Sequence, residues 1–304
     1  MNQIFVFGSI NMDLVFQVPR IPLQGETIQT SRFFMTPGGK GANQAVACAK
    51  QGAKTWMIAS VGNDPLSKES LENLTSYGVD TTYVSVNQHV NGGVAGILLE
   101  DGDNRILVHP GANAFVSSKD AISAIHKLGK PGDVLVAQLE IPIPAIHEAF
   151  VEAKKMGMTT ILNAAPAKDL PIRMFQEIDL LCVNETEMAF YTQNTDFETS
   201  ASMLLNKGVG AVLFTKGAEG SQYVDSQQSI EQKAYPVQVV DTTAAGDTYL
   251  GAFVSQRILG RSIPDSMNYA ACASSLAIQK EGAQISIPSA EQVQQFYNHQ
   301  KEKL

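Results

Sequence analysis

The sequence predicts an α/β fold: a doubly wound, mostly parallel sheet with helices on both faces, plus a small β-sheet lid. Two observations lead to this prediction. Short apolar runs alternate with helical patterns along most of the 304 residues, which is typical of a parallel sheet covered by helices. Two pairs of strand-like runs break the alternation, because no helical pattern lies between their members.

The elements of the core follow from that alternation. Short apolar runs predict buried strands at Ile4–Phe7, Thr55–Ala59, Val134–Ala137, Thr160–Leu162, Leu180–Val183 and Ala211–Phe214. Apolar residues three and four positions apart predict helices at Ala42–Lys50, Leu66–Tyr77, Lys119–Leu128, Ala145–Met156, Glu187–Thr192, Thr199–Lys207, Met267–Gln279 and Ala290–Lys301. A further helix is predicted to start near Ala244.

The two exceptional pairs are Leu14–Val18 with Thr27–Phe34, and Val94–Leu99 with Arg105–His109. Prolines and a glycine separate the first pair, as is typical of turns. Hairpins inserted into an α/β core often close over a ligand. We therefore expect a core made of residues 1–13, 37–91 and 110–304, and a lid made of residues 14–36 and 92–109.

Composition narrows the class of protein. A hydrophobic content of 44% with 17% charged residues is ordinary for a globular chain. The net charge of −8 argues against a nucleic-acid partner or an anionic membrane. The cysteines, at 48, 182 and 272, are far apart, which favours buried thiols over disulfides or a thiolate metal site. We see neither a signal peptide nor a membrane span, so a cytoplasmic location is expected.

The run from Asp241 to Asp247, Asp-Thr-Thr-Ala-Ala-Gly-Asp, precedes a helical pattern. Its small residues, Ala244, Ala245 and Gly246, would leave backbone N–H groups uncovered at a helix start, and such groups bind phosphate. A carboxylate at Asp247 beside phosphate would suit a base that takes a hydroxyl proton. An acidic helix start with Ala and Gly for tight packing explains the same residues equally well.

The run from Pro37 to Ala45, Pro-Gly-Gly-Lys-Gly-Ala-Asn-Gln-Ala, is a second dense cluster. It lacks the spacing of a phosphate-binding P-loop and of a dinucleotide fingerprint. Gly39 would let a ligand approach the backbone, and Lys40 and Asn43 would supply donors. The alternative is a turn with an exposed lysine.

Polar side chains also follow other predicted strands. Asn11 and Asp13 are spaced to point the same way from extended backbone, and together they suit a vicinal diol; an Asx turn is the alternative. Glu140 comes after a buried strand, where α/β sheets place ligand groups. Asn184 reads as a helix N-cap, and Glu187 either belongs to that cap or holds a hydrated Mg²⁺.

These motifs, in this order, resemble the ribokinase-like (PfkB) carbohydrate kinase family over essentially the whole chain. The resemblance rests on three motifs, which are Asn-x-Asp at 11–13, Gly-Gly-Lys-Gly-x-Asn at 38–43 and Asp-Thr-x-Ala-Ala-Gly-Asp at 241–247. The resemblance, closest to the ribokinases of the family, implies transfer of the γ-phosphoryl group of ATP to the 5-hydroxyl of D-ribose, with Mg²⁺ and an activating K⁺.

The resemblance also implies site residues. Asp247 would be the base, and the anion hole would consist of Ala244, Ala245 and Gly246. The sugar would contact Asp247 together with Asn11, Asp13, Gly39, Lys40, Asn43 and Glu140. ATP would contact Asn184, Gly246 and the segment Thr215, Lys216, Gly217, Ala218, Glu219 and Gly220. Glu187 would hold Mg²⁺ through water, and K⁺ would lie among Asp241, Thr243, Ala277, Lys280, Gly282 and Ser286.

Two other functions stay open. One is a kinase of the same family acting on 2-deoxyribose, a ketohexose or a nucleoside; Asn11 argues mildly for the more hydroxylated ribose. The other is a sugar-binding regulator without catalysis, against which the intact Asp247 argues. The lid has few strands and exposed edges, so we expect it to pair with the lid of a second subunit in a homodimer.

Overall fold

The structure, a computed structural model, describes residues 2–100 and 103–301. Residues 1, 101–102 and 302–304 of the predicted core and lid lie outside the described residues. The strands are β1 Ile4–Phe7, β2 Asn11–Gln17, β3 Arg32–Gly38, β4 Thr55–Gly62, β5 Asp80–Asn87, β6 Gly93–Glu100, β7 Asp103–His109, β8 Val134–Gln138, β9 Thr159–Asn163, β10 Leu180–Asn184, β11 Ala211–Thr215, β12 Ser221–Asp225 and β13 Ser229–Gln232. The helices are α1 Lys40–Lys50, α2 Pro65–Ser76, α3 Ser118–Leu128, α4 Ile143–Lys155, α5 Glu185–Thr192, α6 Phe197–Asn206, α7 Ala245–Ile258, α8 Ile263–Ala277 and α9 Ala290–Lys301.

The larger sheet, over the described ranges, has the strand order β13-β12-β11-β10-β9-β8-β1-β4-β5. Its neighbouring strands from β11 through β5 pair in parallel, and only the pairs β11–β12 and β12–β13, at one edge, are antiparallel. From β1 the chain builds outward to β4 and β5 on one side and later to β8–β11 on the other. The strand order therefore reverses at β1, and α/β sheets bind ligands at the carboxyl ends of strands beside such a point.

Helices cover both faces of this sheet, which confirms the predicted doubly wound α/β fold. The side chains of β1 alternate between two cores, as the period of a strand requires. Ile4 and Val6 pack in the core formed with α1, α7 and α8, and Phe5 and Phe7 pack in the core formed with α3 and α4. The three cysteines are free and buried, as predicted.

The small sheet has the order β3-β2-β6-β7, with β2 and β6 parallel at its centre and antiparallel neighbours outside. It lies apart from the larger sheet, and β2 begins only a few residues after β1 ends. Asn11 and Asp13 therefore stand on β2, and not at the end of the first strand as predicted.

Several predicted strand bounds were wrong. The run Thr27–Phe34 was expected to be a strand, but β3 covers residues 32–38, because its pairing with β2 starts at Gln17 opposite Arg32 and continues to Gly38. The strands β5, β12 and β13 were not predicted, since the edge strands β5 and β13 are only partly buried and the buried strand β12 mixes polar and apolar residues, so that none of the three contains an apolar run. In the part of the chain that the structure describes, no helix has the length and apolar character that crossing a bilayer requires.

Candidate active site

The N-terminus of α7 presents unpaired backbone donors. Ala244 caps the helix in a left-handed conformation, with φ 58°. The Ala245 N–H donates to the Thr242 carbonyl oxygen at 3.1 Å, whereas the N–H groups of Ala244, Gly246 and Asp247 have no partner among the described residues. Apart from its chain neighbours and the backbone of its own helix, no atom of the described residues lies within 4 Å of the point where a Gly246 Cβ would stand. The geometry suits an anion, although Ala245 is not one of the free donors.

Asp247 is held by two amides from α1. The two helices pack closely: a Cβ on Gly251 would lie 2.4 Å from the Cβ of Ala47, so α7 needs glycine here. One helical turn earlier on each helix, Asn43 faces Asp247. The Asn43 Nδ2 donates to Asp247 Oδ2 at 3.0 Å, and the Gln44 Nε2 donates to Oδ1 at 2.8 Å. The buried carboxylate is thus satisfied on both oxygens.

Asn11 and Asp13 stand on one face of β2, and both are buried. Asn113 fixes the first of them, since its Nδ2 donates to Asn11 Oδ1 at 2.7 Å. Glycines on the neighbouring strands make room: a Cβ on Gly93 would lie 2.2 Å from Asn11 Oδ1, and a Cβ on Gly38 would lie 2.2 Å from Asp13 Oδ2. The amide and the carboxylate lie side by side, as predicted.

The start of α1 brings Lys40 to Glu140. Gly39, at φ 88°, precedes the helix, and a Cβ there would lie 2.7 Å from the Asn11 backbone nitrogen. Glu140 Oε2 accepts hydrogen bonds from the Ser9 hydroxyl and, at 3.1 Å, from the Lys40 N–H. Elements that follow β1 and β8 therefore meet where the strand order reverses.

Lys40 is the cation among these acids. Burial lowers the pKa of its ammonium group, but attraction to the carboxylates of Asp247, Glu140 and Glu187 outweighs that effect, and the pKa lies above its usual value. The pKa of Asp13 is also raised, but for a carboxyl group this favours the neutral form. Burial, with repulsion from Glu140 and Asp247, raises the pKa of its carboxyl group to about 7.

Asn184 and Glu187 form a capping box at the start of α5. The Glu187 N–H donates to Asn184 Oδ1 at 3.0 Å, and the Asn184 N–H donates to Glu187 Oε2 at 2.8 Å. Burial, opposed by these bonds and by Lys40, raises the pKa of Glu187. Within residues 2–100 and 103–301, no group of three or more acidic, His or Cys side chains could hold a metal ion. The cap explains both residues without a ligand, as the sequence allowed.

The predicted ATP segment connects β11 to β12 at the same end of the sheet. Thr215 pairs with Asn184 in the β10–β11 register. The Lys216 N–H donates to the Gly220 carbonyl oxygen at 2.8 Å, and Gly217, Ala218 and Glu219 form one turn of 3-10 helix between them. The Lys216 ammonium lies 3.5 Å from Glu231 and against the ring of Phe197, so it is directed onto the protein.

Asp241 ties two loops together. Its Oδ1 accepts from the Thr243 N–H at 2.8 Å, and its Oδ2 accepts from the Gly282 N–H at 2.8 Å. Ala277 and Ser286 belong to the second loop region but do not hydrogen-bond Asp241; their bonds are the Lys280 N–H to the Ala277 carbonyl at 3.1 Å, and the Ser286 hydroxyl to the Ala283 carbonyl at 2.8 Å.

Contacts and electrostatic coupling bring together all seven of the predicted sugar and base residues: Asn11, Asp13, Gly39, Lys40, Asn43, Glu140 and Asp247. Sequence reasoning missed the residues that hold them, which are Ser9, Gln44, Asn113, Gln138 and Gln284. Gln44 could have been found from its position, since it stands next to Asn43 in the glycine-rich run. Asn113 and Gln284 are far along the chain and give no local signal.

The chain is similar to known carbohydrate kinases along nearly its whole length. Residues 1–290 match the family of pfkB carbohydrate kinases. A ribokinase of Staphylococcus aureus (strain COL) is 40% identical over 304 residues, which cover 97% of this chain and 99% of that protein. A deoxyribokinase of Salmonella typhi is 33% identical over 300 residues, 96% of this chain and 98% of that protein.

Among solved structures, that of Arabidopsis thaliana ribokinase complexed with ribose and ATP superposes with a TM-score of 0.91 at 32% identity, covering 97% of this chain and 98% of the other. The family match spans nearly the whole length, and the relatives align from end to end. The chain therefore belongs to the pfkB family of carbohydrate kinases and is an ATP-dependent sugar kinase.

Proposed function

We propose that this enzyme transfers the γ-phosphoryl group of ATP to the 5-hydroxyl of D-ribose. The observation that carries the proposal is the Asp247 carboxylate at the start of α7, beside unpaired N–H groups and facing Asp13 and Lys40. The ribokinase of Staphylococcus aureus and the Arabidopsis ribokinase bound to ribose and ATP support this substrate pair.

In the proposed reaction, Asp247 takes the proton of the 5-hydroxyl as that oxygen bonds to the γ-phosphorus. The bond from phosphorus to the β,γ-bridging oxygen breaks, and ADP leaves with that electron pair. The N–H groups of Ala244 and Gly246 stabilise the phosphoryl oxygens; the Ala245 N–H joins them only if it releases Thr242. Asn184 and the 215–220 turn would hold the nucleotide through backbone and amide groups.

The donor set around Glu187 fits a Mg²⁺ ion that arrives with ATP. Mg²⁺ keeps several waters and needs few protein carboxylates, and the capping box engages Glu187 through Oε2. Glu187 would hold the ion through water, and the bound ion supplies neutralisation of phosphate charge. This mode of binding needs only one protein carboxylate, and the described residues contain no cluster of three or more acidic, His or Cys side chains that could hold a metal ion.

The sugar contacts are assigned by chemistry. Asp13 would accept from two ribose hydroxyls, Lys40 and Asn43 would donate, and Glu140 would accept. Asn11 offers a donor toward the sugar, because its carbonyl oxygen is occupied by Asn113. A donor at that point favours a substrate bearing a hydroxyl over one lacking it, so ribose is preferred to 2-deoxyribose.

The test is ATP consumption by the purified enzyme with ribose, 2-deoxyribose, a ketohexose, a nucleoside or no acceptor. We expect the highest kcat/KM with ribose and a negligible rate without an acceptor. A higher kcat/KM with 2-deoxyribose, the substrate class named for the Salmonella relative, would overturn the assignment to ribose. Ribose binding by calorimetry without turnover on any acceptor would indicate a regulator.

We also propose an activating K⁺ at the two loops joined by Asp241. The carbonyl oxygens of Thr243, Lys280 and Gly282 accept no hydrogen bond from the described residues, and such oxygens suit a weakly hydrated cation. The second loop reaches the site directly, since the Gln284 Nε2 donates to Asn43 Oδ1 at 3.2 Å. An ion that orders this loop would therefore order Asn43 and, through it, Asp247.

We further propose that residues 14–36 and 92–109 act as a lid and join two subunits. Paired positions of a sheet share a face, and the face opposite Asp13 presents Phe33, Met35 and Leu107, which are 51%, 45% and 72% exposed. Two such faces would cover each other in a symmetric contact. Light scattering at micromolar concentration should give a dimer mass; a monomer mass, unchanged by ribose, would contradict it.

A further inference from the structure

Two buried amides form a chain of hydrogen bonds that ends on Asp247, the proposed base. The Gln138 Nε2, at the end of β8, donates to the Gln44 Oε1 at 2.7 Å, and the Gln44 Nε2 donates to Asp247 Oδ1 at 2.8 Å. Gln44 and Gln138 are 1% and 0% exposed. Neither lies among the groups assigned to sugar, nucleotide or ion.

The chain has a fixed direction. The oxygen of the Gln44 amide already accepts from Gln138, so only its nitrogen can face the carboxylate. The space for Gln138 is also fixed, because a Cβ on Gly8 would lie 2.0 Å from Gln138 Oε1. That oxygen is buried without a partner among the described residues. A fully buried glutamine that leaves one polar atom unsatisfied is costly to keep, and orienting Gln44 is a use for it.

We propose that Gln44, held by Gln138, is a positioning residue for Asp247. The inference rests on the proposed function, in which Asp247 is the base. A donor to a carboxylate favours its ionised form and fixes the direction of its lone pairs. Gln44 therefore fixes the orientation of Asp247 through Oδ1, and Oδ2, which accepts from the proposed sugar contact Asn43, would be the oxygen that takes the substrate proton.

The other charged or titratable groups that face Asp247 must be considered in any pH experiment. They are Asp13 of β2, Lys40 of α1, Cys182 of β10 and Glu187 of α5. All of them remain in a Gln44 variant. A difference in pH profile between that variant and the parent therefore reports the loss of the amide donor.

The test compares Gln44→Met, which keeps the length of the side chain, with Gln256→Met as a matched control. Gln256 is also a buried glutamine, near the far end of α7, and its Oε1 has no partner in the described chain. We expect kcat of Gln44→Met to fall roughly 10-fold, as for the loss of one hydrogen bond to a charged group. KM for ribose should stay within about threefold, and the acid limb of the kcat/KM profile should move to higher pH.

Gln138→Met provides a second variant, which keeps Gln44 but removes its support; it should shift the profile in the same direction by a smaller amount. The proposal is overturned if Gln44→Met retains the parent kcat and profile, or if Gln256→Met shifts the profile equally. Asp247→Asn is measured in parallel. If that variant is inactive and Gln44→Met is normal, only the positioning role fails; if it remains fully active, the base assignment fails as well.

Discussion

Asp247 and Asp13 are carboxylates of similar burial, 6% and 8% exposed, in opposite surroundings. Asp247 accepts from two amides of α1, one on each oxygen. Asp13 accepts no hydrogen bond from the described residues, and the charged groups that raise the pKa of its carboxyl group are other acids. Side chains of the core thus hold the Asp247 carboxylate in place without a ligand, whereas the Asp13 carboxylate on the small sheet has no hydrogen-bond donor among the described residues.

We propose that this difference in hydrogen-bond donors distinguishes the carboxylate that takes part in the reaction from the carboxylate that binds the sugar. A base must be ionised and oriented before the substrate arrives, and fixed donors achieve that without reorganisation. A carboxylate without donors is costly alone and becomes satisfied when hydroxyl groups arrive. We therefore propose that Asp247 carries out the reaction and that Asp13 recognises ribose, and the experiments below test that proposal.

The largest effect is expected for Asp247→Asn. The substitution is nearly isosteric, so ribose binding should survive, while kcat should fall by roughly 10²–10⁴ because a positioned base is lost. Steady-state kinetics and ribose titration by calorimetry measure the two quantities separately. A kcat within about threefold of the parent would remove Asp247 from the base role.

The sequence predicted the components of this division, but not how they are held. The strand–helix alternation predicted the core, and the motifs at 11–13, 38–43 and 241–247 predicted the principal groups. The amide network could not be predicted, because the Asn43–Gln284 contact depends on how the loop that contains Gln284 packs against a helix more than 200 residues earlier in the chain. Likewise, the surroundings of Asp13, with the space left by Gly38 and the nearby acids Glu140 and Asp247, arise only when the chain has folded.

Asp13→Ala should act on the sugar. Removing an acceptor that serves two hydroxyls leaves both unpaired in the complex, so ribose binding should weaken by about 2–4 kcal/mol. Affinity for ATP should change little. Calorimetric titrations with ribose and with a non-hydrolysable ATP analogue provide the comparison, and equal weakening of both ligands would mean that Asp13 is structural.

Asp13→Asn should stabilise the sugar-free enzyme at alkaline pH. The folded-state pKa of about 7 lies above the usual value of 3.8, so between these pH values the folded state holds a proton that the unfolded chain has released. Stability contributed by this group is therefore present at low pH and is lost as pH rises toward about 7. Asn carries no charge, and it should recover about 1–3 kcal/mol at pH 8.

Thermal unfolding from pH 4 to 9 checks this, with Asp247→Asn as the matched control. The gain for Asp13→Asn should be near zero at the acid end and reach a plateau above about pH 8. Asp247→Asn should show a smaller gain, because its carboxylate already has two donors and its removal relieves only one of the repulsions that act on Asp13. Equal behaviour of the two variants would end the distinction between the carboxylates.

The smallest expected effect is that of K⁺, and it should fall on one side of the comparison only. The loop that contains Gly282 and Gln284 connects to Asp247 through Asn43, whereas Asp13 has no bond to that loop among the described residues. Donors displaced by about 1 Å can cost up to 10²-fold in rate. K⁺ should therefore raise kcat roughly 10-fold over tetramethylammonium, with Na⁺ less effective, and leave KM for ribose nearly unchanged. Rates at fixed ionic strength in the three salts decide it: identical rates would leave Asp241 as a turn residue, and a change confined to KM would tie the loop to recognition instead.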